Sequence, residues 1–213
     1  ILIKDAAALE RAGRLTCLIL DKTGTLTLGR PGVSDLILNR EGIDSNRLLQ
    51  LAASVEKFSE HPLGRAIVDH AHALDLAPLQ ASDFTTRTGR SVAARVNGYQ
   101  VMVGKPAALR DDGVEGLDDL DRLLGAMDSS AQSVVAVAVD NHAAGLIAFA
   151  DQIKPYAQEA IEQLQKLGLK VILMTGDRRA AAASVAKTLG IHEVLAEVLP
   201  QDKHAKVKAL QQA

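Results

Sequence analysis

Residues 15–27 read Leu15-Thr16-Cys17-Leu18-Ile19-Leu20-Asp21-Lys22-Thr23-Gly24-Thr25-Leu26-Thr27, and the rest of the architecture hangs on them. The first half is a nearly unbroken apolar run of strand length, without the alternation of a strand that is wet on one face. Such a run predicts a strand covered on both sides, as in a parallel sheet. It stops at a carboxylate and a glycine-containing turn. In open α/β sheets, reactive groups collect at the carboxyl ends of strands. A carboxylate there has the chemistry to attack a phosphorus atom in line and become an acyl phosphate. Gly24 allows a tight turn that aims N–H groups at phosphate oxygens, and Thr23 and Thr25 add a hydroxyl and further amides. The plainer alternative is a capped loop that begins on an aspartate.

The same alternation returns near the C-terminus. Gly145–Ala150 reads as a strand ending at Asp151, and a helix begins at Pro155 with Ile161, Leu164 and Leu167 on one face. Lys170–Met174 is a second buried strand, ending at Thr175-Gly176-Asp177. A helix carrying Val185, Ala186 and Leu189 stops at Gly190, and Val194–Val198 and Gln201–Gln211 complete the pattern. Strand and helix in this order predict a doubly wound α/β sheet.

Between these halves the pattern changes. Gly29-Arg30-Pro31-Gly32 reads as a linker and Val33–Leu38 as a strand. Helices follow after an N-cap at Ser45 and from Pro62, and Asn97-Gly98 joins two strands as a hairpin. Val134–Val139 is another strand. The expected division is therefore 1–29 and 143–213 for an α/β domain, interrupted by an inserted α+β domain at 30–142.

Composition narrows the function. Aromatics are 2% of 213 residues, so aliphatic side chains and alanine must fill the cores. A formal net charge of -2 leaves no basic footprint for nucleic acid. The lone Cys17 excludes a disulfide framework and a Cys-x-x-Cys metal site. No apolar stretch reaches the roughly 20 residues that span a bilayer. His70 and His72 point to different faces of a helix, so with Asp69 they read as surface residues and not as a metal site.

Asp21-Lys22-Thr23-Gly24-Thr25-Leu26-Thr27 resembles the phosphorylation signature of P-type ATPases, which belong to the haloacid dehalogenase-like superfamily. The resemblance implies a Rossmann-like phosphorylation domain with an inserted nucleotide-binding domain, ATP and Mg²⁺ as cofactors, and Asp21 as acceptor of the γ-phosphoryl group. It implies that the Asp21 carboxylate and the Thr23 carbonyl hold Mg²⁺. Thr175-Gly176-Asp177 is similar to the second phosphate-site motif, Asp151-Gln152-Ile153-Lys154-Pro155 to the hinge segment, and Pro200-Gln201-Asp202-Lys203 to the segment whose lysine faces the phosphoryl group. A cation there would offset charge spread over the transferring oxygens.

Ser59-Glu60-His61-Pro62-Leu63 resembles a motif of the heavy-metal class, in which the histidine packs against adenine. Glu56, Gly89 and Gly104 match further positions of that pocket. Two positions depart from it: Ser91 replaces a glycine and restricts close backbone approach, and Lys105 replaces an asparagine and brings a cation toward the phosphates. The resemblance implies the cytoplasmic portion of a bacterial plasma-membrane pump. Its partners would be ATP, a heavy-metal cation (copper by family prior) bound in membrane segments, and actuator and membrane domains. A later Gly-Asp-Gly-x-Asn-Asp segment of the family would follow Ala213, so the phosphorylation domain is expected to be C-terminally incomplete and weak in turnover by itself.

Two other functions fit parts of the pattern. A soluble phosphatase of the same superfamily carries a second aspartate two residues after the nucleophile, where this chain has Thr23, which favours a long-lived acyl phosphate. A non-catalytic nucleotide-binding module would need no intact phosphorylation motif.

Overall fold

A computed structural model describes residues 5–39, 42–87, 89–126 and 133–211. The chain forms two compact units, one from residues 1–29 and 153–213 and the other from residues 30–152.

In the first unit, helix α1 (Ala6–Ala12) precedes strand β1 (Cys17–Asp21). β1 pairs in parallel with β8 (Lys170–Met174), which pairs in parallel with β9 (Glu193–Leu195). The order β1-β8-β9 makes a parallel α/β sheet, but the crossover helices α6 (Ala157–Lys166) and α7 (Arg179–Leu189) both pack on the face that carries Val171 and Leu173, so the expected double winding, with connections on both faces, is not seen among the described residues. Leu26, Ile161, Val171, Leu173, Ala186 and Leu189 form its core. Helix α8 (Pro200–Gln211) buries no side chain. Leu167, expected on the apolar face of α6, instead follows its end and is exposed.

The second unit is a six-stranded sheet in the order β2-β7-β6-β5-β4-β3. Its strands are β2 (Thr27–Leu38), β3 (Ala81–Arg87), β4 (Ser91–Val96), β5 (Tyr99–Gly104), β6 (Ser133–Val139) and β7 (His142–Ile153). Helices α2 (Ser45–Glu56) and α3 (Pro62–Ala73) contribute Leu48, Leu51 and Ile67 to a core with Val96, Val101 and Ile147. A second cluster joins α4 (Pro106–Asp111) and α5 (Leu117–Ala126) to Ala136, Ala138 and Leu146. Alternate residues of β6 thus feed two cores, which is why the strand is apolar throughout. The hairpin between β4 and β5 turns at Asn97 and Gly98, with φ 50° and 89°.

Four further expectations are corrected. Gly145–Ala150 does not return the chain to the α/β unit, because β7 pairs antiparallel with β6. The division falls after Gln152 and not after residue 142. The segment Gly29–Gly32 is not a linker but part of β2, whose position at the end of the sheet tolerates Pro31. The cap of α2 is Asp44, whose carboxylate accepts from the Arg47 N–H at 2.7 Å, and Ser45 is its first helical residue.

Candidate functional site

Parallel pairing puts the carboxyl ends of β1 and β8 at the same edge, with Asp21 opposite Met174. The turns after them, Lys22–Leu26 and Thr175–Asp177, therefore emerge side by side. Asp21 is half exposed, and the Lys203 ammonium on α8 donates to its Oδ1 at 2.8 Å. Oδ2 of Asp21 has no partner among the described residues.

The turn after Asp21 is held from behind. Gly24 has φ 76°, the left-handed region that glycine reaches without strain. Its carbonyl accepts from Lys154 Nζ at 2.6 Å, and the Lys154 N–H donates to the Leu26 carbonyl at 2.9 Å. Thr27 Oγ1 closes the turn on the Lys22 carbonyl at 3.0 Å. Thr23 and Thr25 remain exposed at the tip.

Lys22 faces inward. Its side chain is 1% exposed, and Nζ lies 2.5 Å from Asp177 Oδ2. Thr175 is buried, donates from Oγ1 to Asp177 Oδ2 at 3.0 Å, and accepts from the Asp177 N–H at 3.2 Å. Gly176 stands exposed at the tip of that turn. Asp21 and Lys203 thus meet directly, while Lys22, Thr175 and Asp177 form a second, deeper cluster. Lys154, seen in the sequence only as part of a hinge motif, is a positioning residue for the turn that carries Thr23.

A carboxylate and a peptide carbonyl, the groups that Asp21 and Thr23 offer, are the hard oxygen donors that suit Mg²⁺. Among the described residues no three His, Cys, Asp or Glu side chains gather into a metal cluster.

The other unit holds a cavity of about 220 Å³ lined by all six nucleotide-pocket candidates: Glu56, His61, Gly89, Ser91, Gly104 and Lys105. Leu63, Val92, Val103 and Val135 give it an apolar wall. His61 caps α3: its Nδ1 accepts from the Leu63 N–H at 3.2 Å, which leaves the proton of the neutral ring on Nε2. Glu56, at the end of α2, is 8% exposed, and its Oε2 has no hydrogen-bond partner. Burial pushes its carboxyl above the usual range, and a hydrogen bond with Ser59 partly opposes this.

Two glycines make room. A Cβ at Gly64 would stand 2.3 Å from Glu56 Oε2, and one at Gly104 would stand 2.6 Å from the Arg90 carbonyl and 2.7 Å from Leu109 Cδ1. Ser91 pairs with Gly104 across β4 and β5, and a Cβ at Gly104 would stand 2.7 Å from the Ser91 Cβ. Arg87 and Arg90 also line the cavity, and the sequence reading passed over both. The signal for Arg90 was its place between Gly89 and Ser91.

A family model described as haloacid dehalogenase-like hydrolase matches residues 15–213. Among curated proteins, the chain is 39% identical to a copper-exporting P-type ATPase of Vibrio cholerae, over 100% of this chain and 23% of that one. It is 44% identical to a copper-transporting P-type ATPase of Rhizobium leguminosarum, over 99% of this chain and 25% of that one. The chain thus spans about a quarter of the length of these relatives. Among solved structures, it superposes on a zinc-transporting PIB-type ATPase with a TM-score of 0.86 and 38% identity, covering 99% of this chain and 34% of that one. The catalytic domain of the CPx-ATPase CopB-B matches with a TM-score of 0.57 and 26% identity, over 99% of this chain and 73% of that one.

Proposed function

Because this chain belongs to the haloacid dehalogenase-like hydrolases, in their P-type ATPase branch, we propose that it binds ATP between Glu56, His61 and Lys105 and accepts the γ-phosphoryl group on Asp21. The observation that carries the reading is the ammonium of Lys203 at 2.8 Å from one oxygen of Asp21, with the other oxygen unpartnered among the described residues.

The unpartnered oxygen attacks the γ-phosphorus, and the bond from phosphorus to the β,γ-bridging oxygen breaks as ADP leaves. Asp21 becomes an acyl phosphate, and no proton moves in this step. Lys203 offsets charge on the transferring oxygens, an effect worth about 3–4 kcal/mol for one well-placed donor. The buried Thr175 hydroxyl, which donates its one proton to Asp177 Oδ2, would have to turn that proton away from Asp177 to bind a phosphoryl oxygen. Mg²⁺ held by the Asp21 carboxylate and the Thr23 carbonyl would neutralise phosphate charge when bound. Thr23 has no carboxyl group to activate water, so hydrolysis of the acyl phosphate is slow without outside help.

In the pocket, the Glu56 carboxyl suits an amino donor such as that of adenine, and the flat ring of His61 suits stacking. The parent protein is read as a membrane pump for a heavy-metal cation, with this part on the cytoplasmic side and actuator and membrane domains elsewhere in it. Copper is favoured by the names of the curated relatives, and zinc is the second reading because a solved structure that superposes on this chain carries that name. No helix among the described residues is long and apolar enough to cross a membrane.

The test is incubation of the full-length pump with γ-labelled ATP and Mg²⁺, followed by acid quench. A hydroxylamine-sensitive label that disappears in Asp21→Asn is expected. Label that persists in that variant would place the acceptor elsewhere.

A further inference from the structure

Three cations line the cavity assigned to the nucleotide, and they differ in what already holds them. Arg87 pairs with Asp112, whose side chain is 8% exposed and whose Oδ2 is buried without a partner. Releasing Arg87 would leave that carboxylate buried and uncompensated, a large penalty. Arg90 pairs with Asp111, but both are at least half exposed, so that pair is worth little and exchanges easily. Lys105 is exposed and has no ion-pair partner among the described residues.

A polyanionic ligand therefore meets one fixed, one exchangeable and one uncommitted cation. Resting on the nucleotide reading, we propose that Lys105 and Arg90 form a phosphate-sensing end of the pocket, with Lys105 as the residue that selects for the phosphate tail and Asp111 as a carboxylate that competes with it. Electrostatics gives the two a mutual logic. Lys105 adds uncompensated positive charge at the rim. Asp111 supplies negative charge beside Arg90, so a phosphate must displace or repel it before the guanidinium becomes available. Backbone geometry couples the two cations: the Lys105 N–H donates to the Arg90 carbonyl at 3.2 Å, so both side chains start from one hydrogen-bonded corner. Glu56, a carboxyl group, does not complement a phosphate.

The prediction is a pair of opposite effects. Adenosine and ATP are titrated calorimetrically into the full chain with divalent metal chelated, so that the phosphates are bare. Lys105→Ala should weaken ATP about five- to tenfold and leave adenosine within about twofold. Lys105→Arg should restore ATP binding. Asp111→Asn should tighten ATP about two- to fivefold without changing adenosine, and salt should erase the gain. Equal losses for adenosine and ATP in Lys105→Ala, or weaker ATP binding in Asp111→Asn, would overturn the proposal while leaving the nucleotide pocket standing. A wild-type chain that binds ATP no more tightly than adenosine would overturn it too. Wild-type chain that binds neither ligand would overturn the nucleotide reading and this inference with it.

Discussion

Lys22 Nζ lies 2.5 Å from Asp177 Oδ2, with the lysine side chain 1% exposed and the aspartate 30% exposed. Two turns that leave different strands are thus tied by one ion pair beside the edge that carries Asp21. Such a pair contributes little relative to an apolar substitute, but breaking it from one side strands a charge. Asp177→Ala is expected to cost about 3–4 kcal/mol, toward the low end of a buried-pair loss because the aspartate is partly wet. Lys22→Met should cost less, and the double variant less than the sum. A urea-unfolding double-mutant cycle measures this; additive losses would show that the pair carries no coupling.

Lys203 and Asp21 present the contrary case. Both are a third or more exposed, so their bond adds at most about 1 kcal/mol to stability. In the proposed reaction its effect would fall on the chemical step, where the cation would meet charge that grows on the phosphoryl oxygens. Lys203→Ala in the full-length pump should slow phosphoenzyme formation about 10²- to 10³-fold with the melting temperature of this region nearly unchanged. Rapid-quench labelling reads the rate. Unaltered labelling would remove Lys203 from the mechanism.

How much of this was readable in the chain follows from where each signal lies. β1 was legible as a strand because its apolar run has strand length and ends at a turn, but the full cover expected on both sides is not there: it lies at the end of its sheet and Cys17–Leu20 are only half-buried. β7 defeated the same reasoning: a central antiparallel strand between two cores is equally apolar, so Gly145–Ala150 carried no mark of which sheet it joins. Gly29–Gly32 looked like a linker because two glycines and a proline break most strands, and only the edge position of β2 reconciles them. The pocket residues were found through a motif around His61 and Pro62, yet its arginines were missed because their partners, Asp111 and Asp112, lie more than twenty positions away. The inward turn of Lys22 was hidden for the same reason, its partner being on another strand's turn.

Gly64 has a role that helix propensity would get backwards. Replacing a helical glycine by alanine ordinarily stabilises by about 1 kcal/mol. Here the new methyl would meet Glu56 Oε2 at 2.3 Å and Ser59 Oγ at 3.1 Å. The propensity gain and the displacement of a buried carboxyl oppose each other, so Gly64→Ala should change stability by less than about 1 kcal/mol. The displaced carboxyl should nevertheless lose its alignment, weakening adenosine binding about fivefold in a calorimetric titration. Unchanged adenosine affinity would mean that Glu56 does not touch the base.

Glu56 sets a pH dependence whose sign can be worked out. Burial raises its carboxyl pKa above the ordinary 4.5, so the folded chain holds this proton more tightly than the unfolded chain. Between the two values the native state binds more protons, and stability attributable to this group falls as pH rises from about 4.5 through the folded value. Above that window the chain carries a buried carboxylate whose Oε2 has no partner. Glu56→Gln removes the ionisable proton and with it that slope. The variant should therefore be more stable than the wild type at pH 8, by about 1 kcal/mol, with the advantage shrinking as pH approaches 5. Adenosine binding should meanwhile weaken about tenfold, because an amide nitrogen replaces one acceptor oxygen. Urea unfolding at pH 5 and pH 8, run beside adenosine titrations at both, separates the two effects. A stability gap between variant and wild type that does not change with pH would show that Glu56 keeps an ordinary carboxyl, and that the cavity it lines is wetter than its burial implies.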